Sequence, residues 1–234
     1  MKKLFLAGIL SIFCVSASFA QVKFGVTAGV NASNVIVSNI DNTYSYDYNH
    51  DFKLGFQAGL VMDYSISEKF SIIPELLFSQ RGNICKYYFN EPGKYDFNEP
   101  AHSQKSSYSQ KFSTTLNYLQ LPINAAYKFN AGSGSKLLIF AGSYLGYGLS
   151  GKCKWDETIG EIKTSGSYDV KFGSGNAKKS IDFGLNAGVG YQYEKVFFKL
   201  QYNHGLTDIN NYTLDAAKIH WQNNNVAVTA GYFF

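Results

Sequence analysis

Hydrophobic residues recur at every second position through almost the whole chain. In Val22-Lys23-Phe24-Gly25-Val26-Thr27-Ala28-Gly29-Val30, every even residue is apolar and every odd one is polar or glycine. Phe52, Leu54, Phe56, Ala58, Leu60, Met62 and Tyr64 keep the same beat, with Lys53, Gly55, Gln57, Gly59 and Asp63 between them. A period of two belongs to a strand whose faces meet different surroundings, whereas a helix needs 3.6. Six more segments carry it, at 70–81, 116–129, 136–149, 180–193, 196–204 and 225–234. Each is long enough to cross a bilayer as a tilted strand, which takes about 9–11 residues.

The spacing between segments adds a second constraint. The connections at 65–69, 130–135 and 194–195 are short, and those at 31–51, 82–115, 150–179 and 205–224 are long and polar. Long and short alternate strictly. The expected fold is therefore all-β: an eight-stranded antiparallel up-and-down transmembrane barrel with short periplasmic turns and long extracellular loops.

A soluble ligand-binding barrel turns its apolar face inward, and a membrane barrel turns it outward. Three features select the membrane. The polar face is rich in glycine (Gly25, Gly29, Gly55, Gly59, Gly184, Gly188, Gly190), which suits a narrow crowded lumen. Aromatics gather at the turns, as Tyr64 with Phe70, Tyr127 with Phe129, and Tyr191 with Tyr193, where interfacial girdles lie. The sequence finishes on the same-face series Val226, Val228, Ala230, Tyr232, Phe234. That ending is similar to the signal by which outer-membrane barrels reach their assembly machinery, so Tyr232 and Phe234 are the expected assembly signal.

Export is expected from the N-terminus. Lys2 and Lys3 precede the apolar stretch Leu4 to Phe19, which closes on Ser18-Phe19-Ala20, the layout of a signal peptide cleaved after Ala20. Residues 1–20 are then the signal peptide and 21–234 the barrel domain. Cys14 does not make a lipoprotein site, because Phe13 stands where a small residue is required. Loss of the two lysines takes the formal charge from +4 to +2, too small and too dispersed for a nucleic-acid partner. The expected partners are outer-membrane lipid and the assembly machinery.

Four segments resemble the small porin-like, PorT-like outer-membrane β-barrel family of Gram-negative bacteria. They are Ile73-Pro74-Glu75-Leu76-Leu77-Phe78-Ser79-Gln80-Arg81-Gly82, Tyr118-Leu119-Gln120-Leu121-Pro122, Asp182-Phe183-Gly184-Leu185-Asn186-Ala187-Gly188-Val189-Gly190 and Tyr202-Asn203-His204-Gly205-Leu206-Thr207-Asp208-Ile209. The resemblance implies fold and location and says little about function, since a fold does not fix one. Two prolines interrupt the strands. A closed barrel has no edge on which a missing N–H is harmless, so Pro74 and Pro122 should mark bulges or broken pairing.

No catalytic or metal-binding pattern is apparent, and neither enzyme activity nor a cofactor is expected. His50, His102, His204 and His220 fall in loops or at strand tips without partners at metal-site spacing. His204 has no hydroxyl nucleophile beside it. Asp41 to Asp51 alternates tyrosine with polar residues, as either a recognition surface or a β-ribbon extending the first two strands. Function is left between a structural or surface-interaction barrel and a narrow pore or secretion accessory. Eight strands enclose little more than their own side chains, which favours the former.

Two local expectations follow. Cys85 and Cys153 lie in the second and third long loops, where they could form a disulfide. The inward set includes Lys53, Asp63, Glu75, Arg81, Gln120, Asn124, Lys128, Asp182, Asn186, Lys199 and Gln201, and buried charges must be paired. Glu75 and Lys199 lie at similar heights on the third and seventh segments, which face each other among eight. They are expected to form a polar plug completed by Gln120 and Asn186. Arg81, six residues beyond Glu75, stands about 20 Å higher along the strand and is a poorer partner.

Overall fold

The computed structural model describes residues 22–38, 49–89, 108–173, 178–211 and 220–234. The expected signal peptide, His102 and most of the tyrosine-rich stretch lie outside them. Among the described residues nine strands form one antiparallel sheet: β1 (Val22–Ser38), β2 (Asn49–Ser65), β3 (Phe70–Phe89), β4 (Tyr108–Asn130), β5 (Ser135–Ile159), β6 (Ile162–Val170), β7 (Ile181–Tyr193), β8 (Val196–Gly205) and β9 (His220–Phe233). Every strand but β6 belongs to a closed ring, in the order β1-β2-β3-β4-β5-β7-β8-β9 and back to β1.

The register can be followed around that ring from Val22 through Tyr64, Ile72, Ala125, Ala141, Ala187, Tyr202 and Val226. It returns to β1 at Ala32, ten residues above its start. A stagger of ten on eight strands tilts them by about 40°. The ten steps from Tyr64 up to Leu54 then rise roughly 25 Å, the height of a barrel's apolar band.

Exposure settles which way the faces point. Leu54 is 79% exposed and Phe24 60%, and the outward positions of all eight ring strands carry large apolar residues. Inside, Asn225 and Ser79 are fully buried, as are Asp182, Glu75 and Arg81 to within 3%. Glycines make room for the rings that share this lumen. A Cβ on Gly184 would stand 2.6 Å from the Tyr144 ring, and one on Gly231 would collide with Phe197.

β1 to β5 and β9 run higher than the hydropathy pattern indicates, and β6 lies within what reads as the third loop. Above the apolar belt both faces meet polar surroundings, so alternation stops while backbone pairing continues. β3 pairs with β4 up to Phe89↔Tyr108, β4 with β5 up to Tyr108↔Ile159, and β5 with β6 from Gly151↔Val170 to Ile159↔Ile162. A four-stranded ribbon therefore stands on one side of the barrel mouth. At the other end the connections are tight. The last of them, Glu194–Lys195, places Glu194 in the left-handed region (φ 50°), and Gln192 Nε2 donates to its carbonyl at 2.7 Å.

Each proline breaks one ladder. The β2–β3 register runs from Val61↔Glu75 to Tyr64↔Ile72, skipping Pro74, and β3–β4 runs from Pro74↔Ile123 to Leu77↔Gln120, skipping Pro122. The other neighbour of Pro122 stays paired, as Pro122↔Tyr144. This is the pattern of one missing donor per proline.

Candidate functional site

The lumen gathers buried polar side chains, and it is built in tiers. At the turn end, Val61, Ile73, Ala126, Leu138, Phe140, Phe197 and Phe233 form an apolar plug. Beside it Lys128 Nζ donates to Asp63 Oδ2 at 2.5 Å and to Ser65 Oγ at 3.4 Å.

Above the plug, Lys199 Nζ stands 2.5 Å from Glu75 Oε1, with both residues buried. β3 and β8 are four places apart in the ring, so the pair spans the lumen. The rings of Phe140 and Phe197 lie 5.9 and 5.7 Å from the same ammonium, close enough for cation–π attraction. An amide chain runs above it, from Gln201 Nε2 to Asn203 Oδ1 (2.6 Å) and from Asn203 Nδ2 to Asn225 Oδ1 (2.9 Å).

The third tier centres on Arg81. Its Nη2 donates to Gln120 Oε1 at 2.7 Å, its Nη1 approaches Asp182 Oδ2 at 3.5 Å, and its guanidinium stacks 4.9 Å from the Tyr144 ring. Asp182 also accepts from Asn223 Nδ2 (2.9 Å) and Tyr144 Oη (3.3 Å), and Asn223 reaches Tyr118 Oη. This cluster corrects the expected plug. Gln120 serves Arg81 and not Glu75, and Asn186 is buried with no hydrogen-bond partner. Strand tilt is the reason: pairing partners rise around the ring, so Arg81 and Asp182 meet at one height although their segment positions look unrelated.

Leu116, Tyr118, Cys153, Val170 and Ile209 close the mouth, with Phe112, Phe172 and Trp221 packed against them. Lys178 lies over the Trp221 ring at 3.7 Å. Burial pushes its amine down from 10.5 to about 8, against the opposing pull of Asp208 and Cys153. Unfolding lets the amine bind a proton more readily, so between pH 8 and 10.5 the unfolded chain carries more protons, and stability should rise with pH across that window. Trp221 fluorescence during unfolding of a Trp155→Phe protein measures this. Lys178→Met should flatten the slope, and an equal slope in both proteins would exclude Lys178 as its source.

The expected disulfide is absent. Cys85 and Cys153 are free, buried thiols on β3 and β5, not loop residues. Cys85 pairs with Phe112 and Cys153 with Thr114 on the intervening β4. Two strand spacings of about 4.8 Å, plus a two-residue offset, exceed the roughly 7 Å that a disulfide tolerates. Among the described residues no group of three or more His, Cys, Asp or Glu side chains is placed to hold a metal ion.

At the other end, Phe234 is 70% exposed on the outward face, and its N–H donates to Phe24 O at 2.9 Å. Tyr232 contacts the Phe234 ring at 6.3 Å and lies under Lys195. The two aromatics continue the girdle of Tyr64, Phe70 and Tyr193.

A model of the outer membrane protein β-barrel domain matches residues 19–211. The chain belongs to that family. It is a multi-pass outer-membrane barrel, with its tight turns at the periplasmic end and its ribbon outside. No curated protein matches it. Similar solved structures include Ail, the attachment invasion locus protein of Yersinia pestis (15% identity, 92% of this chain and 99% of that one, TM-score 0.37). Others are Neisserial surface protein A (13%, 90% and 97%, 0.38) and OprG of Pseudomonas aeruginosa (14%, 91% and 95%, 0.41). Likenesses this distant bear on no residue's role.

Proposed function

We propose that this outer-membrane barrel is a closed, non-enzymatic structural or surface-interaction protein that acts through the ribbon and loops outside the cell. Within this reading it belongs to the PorT-like group, loses residues 1–20 on export, and enters the membrane through the assembly machinery by way of Tyr232 and Phe234. The observation that carries the reading is the lumen, filled by the buried ion pairs Lys128–Asp63, Lys199–Glu75 and Arg81–Asp182 and capped with apolar side chains at both ends. Such a lumen favours a surface role over solute passage.

Trimming the ribbon tests the proposal. A variant in which a two-residue turn replaces 155–166 keeps the ring and its lumen. In a strain lacking the protein, the trimmed barrel should assemble normally and fail to correct whatever envelope defect the wild-type protein corrects. Full restoration would assign the function to the lumen instead. The assembly signal has its own test: deleting Phe234 should lower the heat-modifiable protein in outer-membrane fractions several-fold, and unchanged levels would exclude the role.

A further inference from the structure

The ring is interrupted on the outward wall where β5 changes partners. Its last pair with β7 is Tyr147↔Ile181, and its first with β6 is Gly151↔Val170. Between them a bulge opposite Asn117/Tyr118 adds one residue to β5, and a cleft of about 690 Å³ opens there. Its floor is Tyr147 and Leu149, half-exposed side chains in the top row of the apolar belt. Its upper rim is polar, with Asn117 Nδ2 donating to Ser150 Oγ at 3.0 Å and the exposed amines of Lys152 and Lys171 beside them.

The cleft therefore changes from apolar to cationic along the membrane normal, as an outer-leaflet lipid changes from acyl chain to phosphate. Asp169 stands opposite Lys152 in the β5–β6 register and offsets one charge. Lys154 and Lys111 lie above it, with Asp156 directly opposite Lys111 in the β4–β5 register. None of Lys111, Lys152, Lys154 and Lys171 makes a carboxylate ion pair among the described residues.

We infer that this cleft binds one phosphorylated outer-leaflet glycolipid, its phosphate between Lys152 and Lys171 and an acyl chain over Tyr147 and Leu149. The lipid fills the interruption in the wall and anchors the base of the ribbon. The assignment rests on the outer-membrane location and is independent of whether the lumen conducts.

Native mass spectrometry of the full-length protein, released from phosphatidylcholine nanodiscs doped with lipid A, provides the test. The wild type should retain one lipid A. Lys152→Gln combined with Lys171→Gln should lower the retained fraction about tenfold, because two charge-assisted contacts are lost. Lys136→Gln at the periplasmic end should leave retention unchanged, and heat-modifiability should show all three proteins folded. Equal retention by the double variant would overturn the site. Equal retention of dephosphorylated lipid A by the wild type would reduce it to ordinary boundary lipid. Displacement by inorganic phosphate at matching concentration would assign a soluble anion, and that too would overturn the lipid.

Discussion

Replacing Arg81 with methionine is expected to destabilise the refolded barrel by about 3–5 kcal/mol, the usual cost of removing one partner from a buried ion pair. Methionine keeps the length and apolar stem of the side chain but not the charge. Asp182 would then face Tyr144 and Asn223 without its cation, and Gln120 would lose its donor. Urea unfolding in vesicles measures the loss. Lys152→Met, on the exposed upper strand, should stay within about 0.5 kcal/mol of wild type in the same assay. A loss below about 1 kcal/mol for Arg81→Met would show that the tier is not held by its charge.

The Glu75–Lys199 tier should behave as a unit. Glu75→Gln and Lys199→Met each leave a charge buried at 7% exposure or less and should each cost about 3–5 kcal/mol. The double variant removes both charges, so its loss should fall short of the sum by roughly 1–3 kcal/mol. Strict additivity would mean the two side chains do not interact in the folded protein. The same cycle on Arg81 and Glu75 should be additive, because Arg81 has its own partners a tier above.

The barrel was legible because lipid and lumen impose opposite polarities on alternate residues, and because tight turns such as Glu194–Lys195 punctuate the pattern. Glu75 and Lys199 could be set at one height by counting up from those turns. That count ignores strand tilt, which lifts successive strands around the ring, and so it gave Arg81 no partner and placed Gln120 in the wrong tier. β6 and the upper halves of β3, β4 and β5 were not legible for a different reason. Outside the membrane a strand such as Ile162–Val170, with its serines, threonine and charges, is polar on both faces and carries no period to detect. Cys85 and Cys153 were misplaced by the same blindness, as loop residues free to meet when each is fixed in a strand with β4 between them. The apolar cap of Phe112, Phe172 and Trp221 gave no periodic signal either, since Phe112 and Trp221 lie on the upper ends of β4 and β9 and Phe172 just beyond β6.

A closed lumen is the central claim, and conductance tests it most directly. Planar bilayers containing the refolded wild-type protein should show no steady channel openings above background at any moderate voltage, because three ion-pair tiers and two apolar plugs fill the path. Stable openings of nanosiemens size from folded, heat-modifiable protein would contradict the account.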